Sequence, residues 1–335
     1  MYHQKQLTIR KLVFISILLA LVVVSLGAYA RLTHAGLGCP DWPGCYGMLE
    51  VPQTSEQLIK AKQNFPNAIV EPEKAWNEMI HRYFAGTLGL LILAIAFLSI
   101  KNRSQGTPLR LPLLILVIVT FQAALGMWTV TMKLMPIVVM AHLLGGFTTL
   151  CLLFLLYLRL DPYRLNTGDF SVRKYGRYGF IGIVILTAQI ALGGWTSSNY
   201  AALTCTELPI CQSGWMERLT FEDSFDVIPP EKATYEFGHL DHDERLTIHV
   251  VHRLGAIVTF LYSAWLAFMV FVKSKTAFFK NSAAILAVLL ITQVSLGISN
   301  IWFSLPLAIA VSHNVVAACL MLSLIMLTYS LRRKI

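Results

Sequence analysis

The chain has 335 residues, 56% of them hydrophobic and 13% charged, with a formal net charge of +9. That charged fraction is about half the ~25% of a soluble globular domain, which excludes a water-soluble fold. The basic excess is scattered over five short segments with no continuous basic face, which excludes nucleic acid as the partner.

In chain order, apolar runs of the ~18 or more residues needed to cross a bilayer fall at 12–30, 77–99, 111–131, 137–158, 178–197, 247–271, 282–301 and 307–330. The first run, with its Lys-containing start and Ala28-Tyr29-Ala30, formally fits a secretory signal. It is long for one, and the run that repeats it, 178–197, is internal, so it reads as a span. Between the runs, Lys5, Arg10 and Lys11; Lys101, Arg103 and Arg110; Arg159, Arg164, Arg173, Lys174 and Arg177; Lys273, Lys275 and Lys280; and Arg332, Arg333 and Lys334 all fall on one side of the membrane, offset only by Asp161 and Asp169. Basic loops stay inside, so both termini are expected in the cytoplasm. The other carboxylates lie on or near the outer side, chiefly between Glu207 and Glu244, and the long loops 31–76 and 198–246 are outer loops.

The chain repeats itself. A shift of 171 carries His81-Arg82 onto His252-Arg253, Gln122 onto Gln293, Leu125-Gly126 onto Leu296-Gly297 and His142 onto His313. A shift of 166 carries Leu26-Gly27 onto Leu192-Gly193, and Cys39 and Cys45 onto Cys205 and Cys211. Repeats dictate the architecture. The fold expected is an all-α membrane protein of eight transmembrane helices, arranged as two four-helix bundles, 1–165 and 166–335, joined by a linker at 159–177. Each half has an even number of spans, so both enter the membrane in the same direction as a parallel repeat related by a pseudo-twofold axis.

The outer cysteines pair naturally as Cys39-Cys45 and Cys205-Cys211, in a compartment where disulfides persist. Two roles stay open: a redox-active pair exchanging with a partner thiol, or a staple on a loop. Cys151 and Cys319 lie inside spans as small apolar residues.

Four histidines sit within spans, on the second and fourth helix of each half: His81, His142, His252 and His313. Ionisable residues in a membrane are costly and mark function, and bundles build cofactor sites from side chains on facing helices. Two histidines per half fall short of the three or four ligands of zinc but suffice as axial ligands of a haem iron. Arg82 and Arg253 follow their histidines and suit haem propionates; snorkelling to the interface is the plainer role. Glu78 lies three residues before His81 on the same helix face, whereas the corresponding residue of the second half is His249. A carboxylate confined to one half marks that half as the site of chemistry and the other as the holder of a permanent cofactor. Gln122, Gln189 and Gln293, each before a Leu-Gly step, suit interhelical hydrogen bonding beside close glycine packing. His239 and His242 read as members of a solvated acidic loop.

The stretch Gly27-Ala28-Tyr29-Ala30-Arg31-Leu32-Thr33 leading into Gly36-Leu37-Gly38-Cys39-Pro40-Asp41-Trp42-Pro43, the stretch Leu192 to Leu203 (LGGWTSSNYAAL), and the two His-Arg steps together resemble the haem A synthase family, in its bacterial branch with cysteine pairs. The resemblance covers nearly the whole chain. It implies an oxidoreductase of the bacterial inner membrane that turns the C8 methyl of haem O into the formyl of haem A for cytochrome oxidase. It implies haem b held by His252 and His313, substrate haem O attended by His81 and His142, and Glu78 as the catalytic acid. Haem O synthase and an electron donor are the partners expected beside the lipid bilayer, with room for a homo-oligomer. His34 and His249 depart from the family pattern as expected here. The alternative is a di-haem cytochrome b passing electrons from quinol to an outer acceptor; it accounts for the four histidines but not for Glu78. A thiol:quinone oxidoreductase would leave the histidines without a role, and a transporter fits a parallel repeat less well.

Overall fold

The computed structural model describes residues 2–105, 107–160, 169–209 and 211–333; the side chains of 2–5 and 105 are outside it, as are Asp161, Arg164 and Lys334 of the basic pattern. Its secondary structure is helical: α1 (Tyr2–Leu32), α2 (Ser55–Asn64), α3 (Pro72–Lys101), α4 (Arg110–Thr131), α5 (Pro136–Arg159), α6 (Tyr175–Ser198), α7 (Phe221–Ser224), α8 (His242–Lys273), α9 (Ala277–Trp302) and α10 (Leu307–Arg332), with two 3₁₀ turns. All but α2 and α7 are long and apolar enough to cross a membrane, eight spans among the described residues. Their exposed apolar side chains, such as Leu90, Phe97, Val117, Leu261 and Val288, suit contact with lipid.

Two of the spans start earlier than hydropathy indicates. α3 begins at Pro72 and α8 at His242, each five residues before the apolar run. Pro at the first helical position is pre-organised for a helix start. For α8, Asp241 accepts the N–H groups of Asp243 and Glu244 while the Glu244 carboxylate takes the Asp241 N–H, a capping box. The outer loops also hold helices: α2 opens on a capping box between Thr54 and Gln57.

The chain divides into two compact units, Met1–Leu156 with Val227–His239, and Tyr157–Asp226 with Leu240–Ile335. In the first, α3 packs on α1 and on α4, and Gln122 of α4 donates from Nε2 to the main-chain carbonyl of His142 on α5. The segment 227–239 joins this unit through Tyr235, whose N–H donates to Lys133 O at 3.0 Å, and through Phe237, which stacks at 5.1 Å on His34. In the second unit, α6, α8, α9 and α10 pack in a closed ring. Gly176 and Gly179 of α6 let α10 come close: a methyl on Gly179 would stand 2.4 Å from Thr328 Oγ1. Asp169, almost fully buried, accepts hydrogen bonds from the Ser171 N–H and hydroxyl, the Ser274 hydroxyl (2.8 Å), and the Lys275 and Thr276 N–H groups (2.6 and 3.2 Å). It thereby ties down the turn that leads into α9. Burial opposes its ionisation, but the hydrogen bonds, led by the Ser171 hydroxyl, outweigh it and hold the carboxyl below the usual carboxylate range.

Matched spans end alike. Left-handed residues close α1 (His34, φ 53°) and α6 (Tyr200, φ 55°), and pairs of them close α4 (Lys133-Leu134) and α9 (Ser304-Leu305). The following N–H groups bond five residues back in each case: Ala35 to Ala30, Ala201 to Thr196, Leu134 to Thr129 and Leu305 to Asn300. His34, a departure at sequence level, occupies a turn position that histidine tolerates better than most residues.

Candidate functional site: paired histidines beneath cysteine loops

In each unit the histidines sit where two helices touch through a glycine. A methyl on Gly27 of α1 would stand 3.0 Å from His81 Cε1, and on Gly126 of α4, 3.2 Å from His142 Cε1. The same 3.2 Å holds for Gly193 of α6 against His252 and for Gly297 of α9 against His313. The glycines therefore make the slots into which the imidazoles fit; any Cβ there would press on the ring. His81 and His142 lie edge-on with ring centroids 6.4 Å apart. The two imidazoles thus face each other across the bundle as an edge-to-face pair.

The glutamines stand beside the imidazoles. Gln189 Nε2 lies 3.1 Å from His252 Nδ1 and 3.0 Å from the His252 carbonyl, and Gln293 Nε2 lies 3.2 Å from His313 Nε2. Nδ1 of His81, His142 and His313, and Oε1 of all three glutamines, are buried with no hydrogen-bond partner among the described residues. Leaving such atoms unsatisfied costs about 1–3 kcal/mol each. Imidazole nitrogens facing into a bundle interior without a partner fit the ligation of a metal, and no group of three or more metal-ligating side chains exists among the described residues. A two-histidine donor set fits a haem iron, which takes its remaining ligands from the porphyrin.

Glu78 and Arg82 occupy the outer turns of α3 under the first cysteine loop. Glu78, 6% exposed, is ion-paired to Arg82 and accepts the Cys39 N–H at 2.9 Å. Arg82 donates to the carbonyls of Asp41 (3.0 Å) and Gly44. The Cys39–Cys45 pair is disulfide-bonded and packs with Tyr46, Val51, Ala61, Ala75 and Met79 into a small core over α3. Tyr46 donates its hydroxyl to Ile69 O at 2.8 Å; burial, then the carboxylates of Glu71, Glu78 and Asp41, raise its pKa. Gly38 is required beneath this loop, since a Cβ would come within 2.6 Å of the Lys74 backbone.

The second unit repeats the plan with other atoms. His249 Nδ1 accepts the Cys205 N–H at 3.3 Å, and Arg253 donates to the carbonyls of Cys205 and Glu207 (3.0 Å). Cys205–Cys211 is also a disulfide, packed on Leu246 and Val250. Both arginines thus hold the cysteine loops, a role that sequence could not reveal because their partners are carbonyl groups some forty residues away. Of the loop histidines, His242 opens α8 and lies 3.0 Å from Arg218 Nη2, and His239 packs edge-on against Tyr235; neither joins the histidine sites.

The architecture is that of a polytopic helical membrane protein with a paired-histidine site beneath a disulfide-closed loop in each of two units. The model of the COX15-CtaA family, described as cytochrome oxidase assembly protein, matches residues 10–325, and the chain belongs to that family. It is 52% identical over 320 residues, 96% of each chain, to the heme A synthase of Shewanella oneidensis. It is also 25% identical to the heme A synthases of Mesorhizobium japonicum, over 91% of this chain and 85% of the relative, and of Bacillus licheniformis, over 88% and 86%.

Proposed function

We infer that the chain is a haem A synthase, an oxidoreductase converting the C8 methyl group of haem O to the formyl group of haem A. The observation that carries the reading is the His81–His142 pair, its Nδ1 atoms buried without partners, in the unit that also buries Glu78. The near-full-length likeness to a heme A synthase supports it and lends nothing to the di-haem cytochrome alternative.

In this reading His81 and His142 of the N-terminal half, 1–165, would hold haem O, and His252 and His313 of the C-terminal half, 166–335, would hold haem b. When bound, haem supplies one-electron and oxygen chemistry, while the protein supplies position and electrostatics. The imidazoles, held in their glycine slots, fix where each ring lies. Glu78 carries protons during the successive oxidations of the methyl carbon, and Arg82 holds its carboxylate in place. Arg82 and Arg253, at the same level as the cysteine loops, also offer positive charge to propionates. The protein resides in a bacterial inner membrane with both termini cytoplasmic, receives its substrate from a haem O synthase and draws on an electron donor.

The test is to purify the protein in detergent, extract its pigment with acid–acetone, and identify the haems by chromatography and mass. Haem O or haem A together with haem b is expected. Haem b alone returns the reading to a cytochrome, and a folded but colourless protein overturns it.

A further inference from the structure

Three of the four histidine seats carry a glutamine one turn before their glycine, and the fourth does not. His252 is flanked by Gln189, one turn before its glycine on α6, and His142 and His313 by Gln122 and Gln293 at the same offset on α4 and α9. The position one turn before Gly27 on α1 is Val23, whose side chain has no hydrogen-bonding group to offer His81. A second exchange accompanies the first. Gly255, three residues after His252, makes room for the Gln189 amide: a Cβ there would come within 2.3 Å of Gln189 Oε1. The residue three after His81 is Phe84. A glutamine at 23 would therefore meet a side chain where Gln189 meets none. At these two matched seats the positions differ together, Gln189 with Gly255 at His252 and Val23 with Phe84 at His81; Gln122 sits with Gly145 at His142, and Gln293 with Val316 at His313.

We propose that the Gln189–Gly255 pair locks His252 as the ligand of a permanently held haem, and that Val23 and Phe84 leave His81 as the releasable ligand of a haem that must depart as product. The proposal rests on the assignment of substrate to His81 and His142 and of haem b to His252 and His313. The physical reason lies in the partners of a ligating imidazole. Groups bonded to a metal-binding histidine fix its ring orientation and basicity, and losing one typically costs about 10–100-fold in metal affinity. Gln189 Nε2 touches both the ring and the main-chain carbonyl of His252, tying the imidazole and the helix that carries it to one group. An aliphatic side chain at 23 can do neither. A cofactor site gains from both histidines being restrained. A substrate site needs a ligand that lets go.

The test is haem transfer from detergent-purified protein to apomyoglobin, followed by absorbance, with the pigment of each phase identified after extraction. In the wild type, haem O or haem A should leave before haem b. Gln189→Leu should speed the loss of haem b about 10–100-fold and shift its midpoint potential, leaving that of the other haem in place. The reciprocal Val23→Gln/Phe84→Gly protein should release haem A more slowly, a gain of retention that misfolding cannot mimic. Unchanged transfer rates in Gln189→Leu and in the reciprocal protein, with both pigments present, would overturn the proposal alone. Absence of haem O and haem A from every preparation would overturn the functional reading and this proposal with it.

Discussion

Glu78 and His249 occupy the same place in their units, each accepting the N–H of the first cysteine of its loop. Sequence comparison of the halves marks the pair as a difference, and the structure adds what they have in common. Both side chains anchor a loop, and only Glu78 also carries an acid. The two roles can be separated by substitution. Gln at 78 keeps an oxygen for the Cys39 N–H, so Glu78→Gln should retain haem and fold while losing haem A formation. Glu78→Ala leaves both Arg82 and the Cys39 N–H short of a partner. Breaking a buried ion pair costs about 3–5 kcal/mol, with the low end expected because Arg82 keeps the Asp41 and Gly44 carbonyls. Thermal unfolding beside haem A yield distinguishes the two variants, and a Glu78→Gln protein that makes haem A at the normal rate would remove the proton-carrying role. The histidines were legible in the sequence because an ionisable group in an apolar run stands out, and the glutamines because each precedes a Leu-Gly step. The loop bonds of Arg82 and Arg253 were not, since a main-chain carbonyl leaves no mark on residue identity.

The elements around each site depend on short polar connections. The first cysteine loop holds Glu78 and Arg82 from above, so removing its disulfide should act on chemistry as well as on stability. Closing so short a loop is worth about 2 kcal/mol. Cys39→Ala/Cys45→Ala should lose roughly that much and also lower haem A formation. Cys205→Ala/Cys211→Ala should instead loosen haem b, because its loop is tied to His249 and Arg253. Equal effects of the two double variants on both readouts would reject this division. Just before α9, Asp169 caps the turn of Lys275 and Thr276 that leads into the helix. Its carboxyl titrates below the unfolded value of about 3.9. Its contribution is therefore complete above that pH and disappears as pH falls through the lower folded value. Asp169→Ala should lower the melting temperature in detergent by a constant amount from pH 7 to about 5, the gap narrowing only in stronger acid; a gap that grows on acidification would contradict the cap. Hydropathy missed the outer turns of α3 and α8 because it registers hydrocarbon, whereas those turns are specified by Pro72 and by the Asp241–Glu244 box. The α2 start was written in its Thr54–Gln57 spacing, a signal that a search for spans passes over.

At the scale of the whole molecule, eight spans place the two termini on the same side of the membrane. In the proposed topology the basic segments put that side in the cytoplasm. A fluorescent reporter fused after Ile335 should fold and glow, and an alkaline phosphatase at the same point should stay inactive; the reverse pattern would invert the topology. Spans, their number and the repeat were readable because bilayer thickness and duplication both impress themselves on composition and spacing. Membership of the segment Val227–His239 in the first unit was not, because it depends on contacts such as Tyr235 N–H to Lys133 O, and a single backbone bond has no sequence signature.

That membership bears on how the protein is made. The ribosome finishes α1 through α5 long before it reaches residue 227, yet the first unit includes residues encoded beyond α6. Until that later stretch has been exported, the nascent N-terminal portion lacks a piece of itself. A gene cut at the linker would yield one fragment missing its own part and another carrying a borrowed one, so the first unit is complete only after residues 227–239 have been translated.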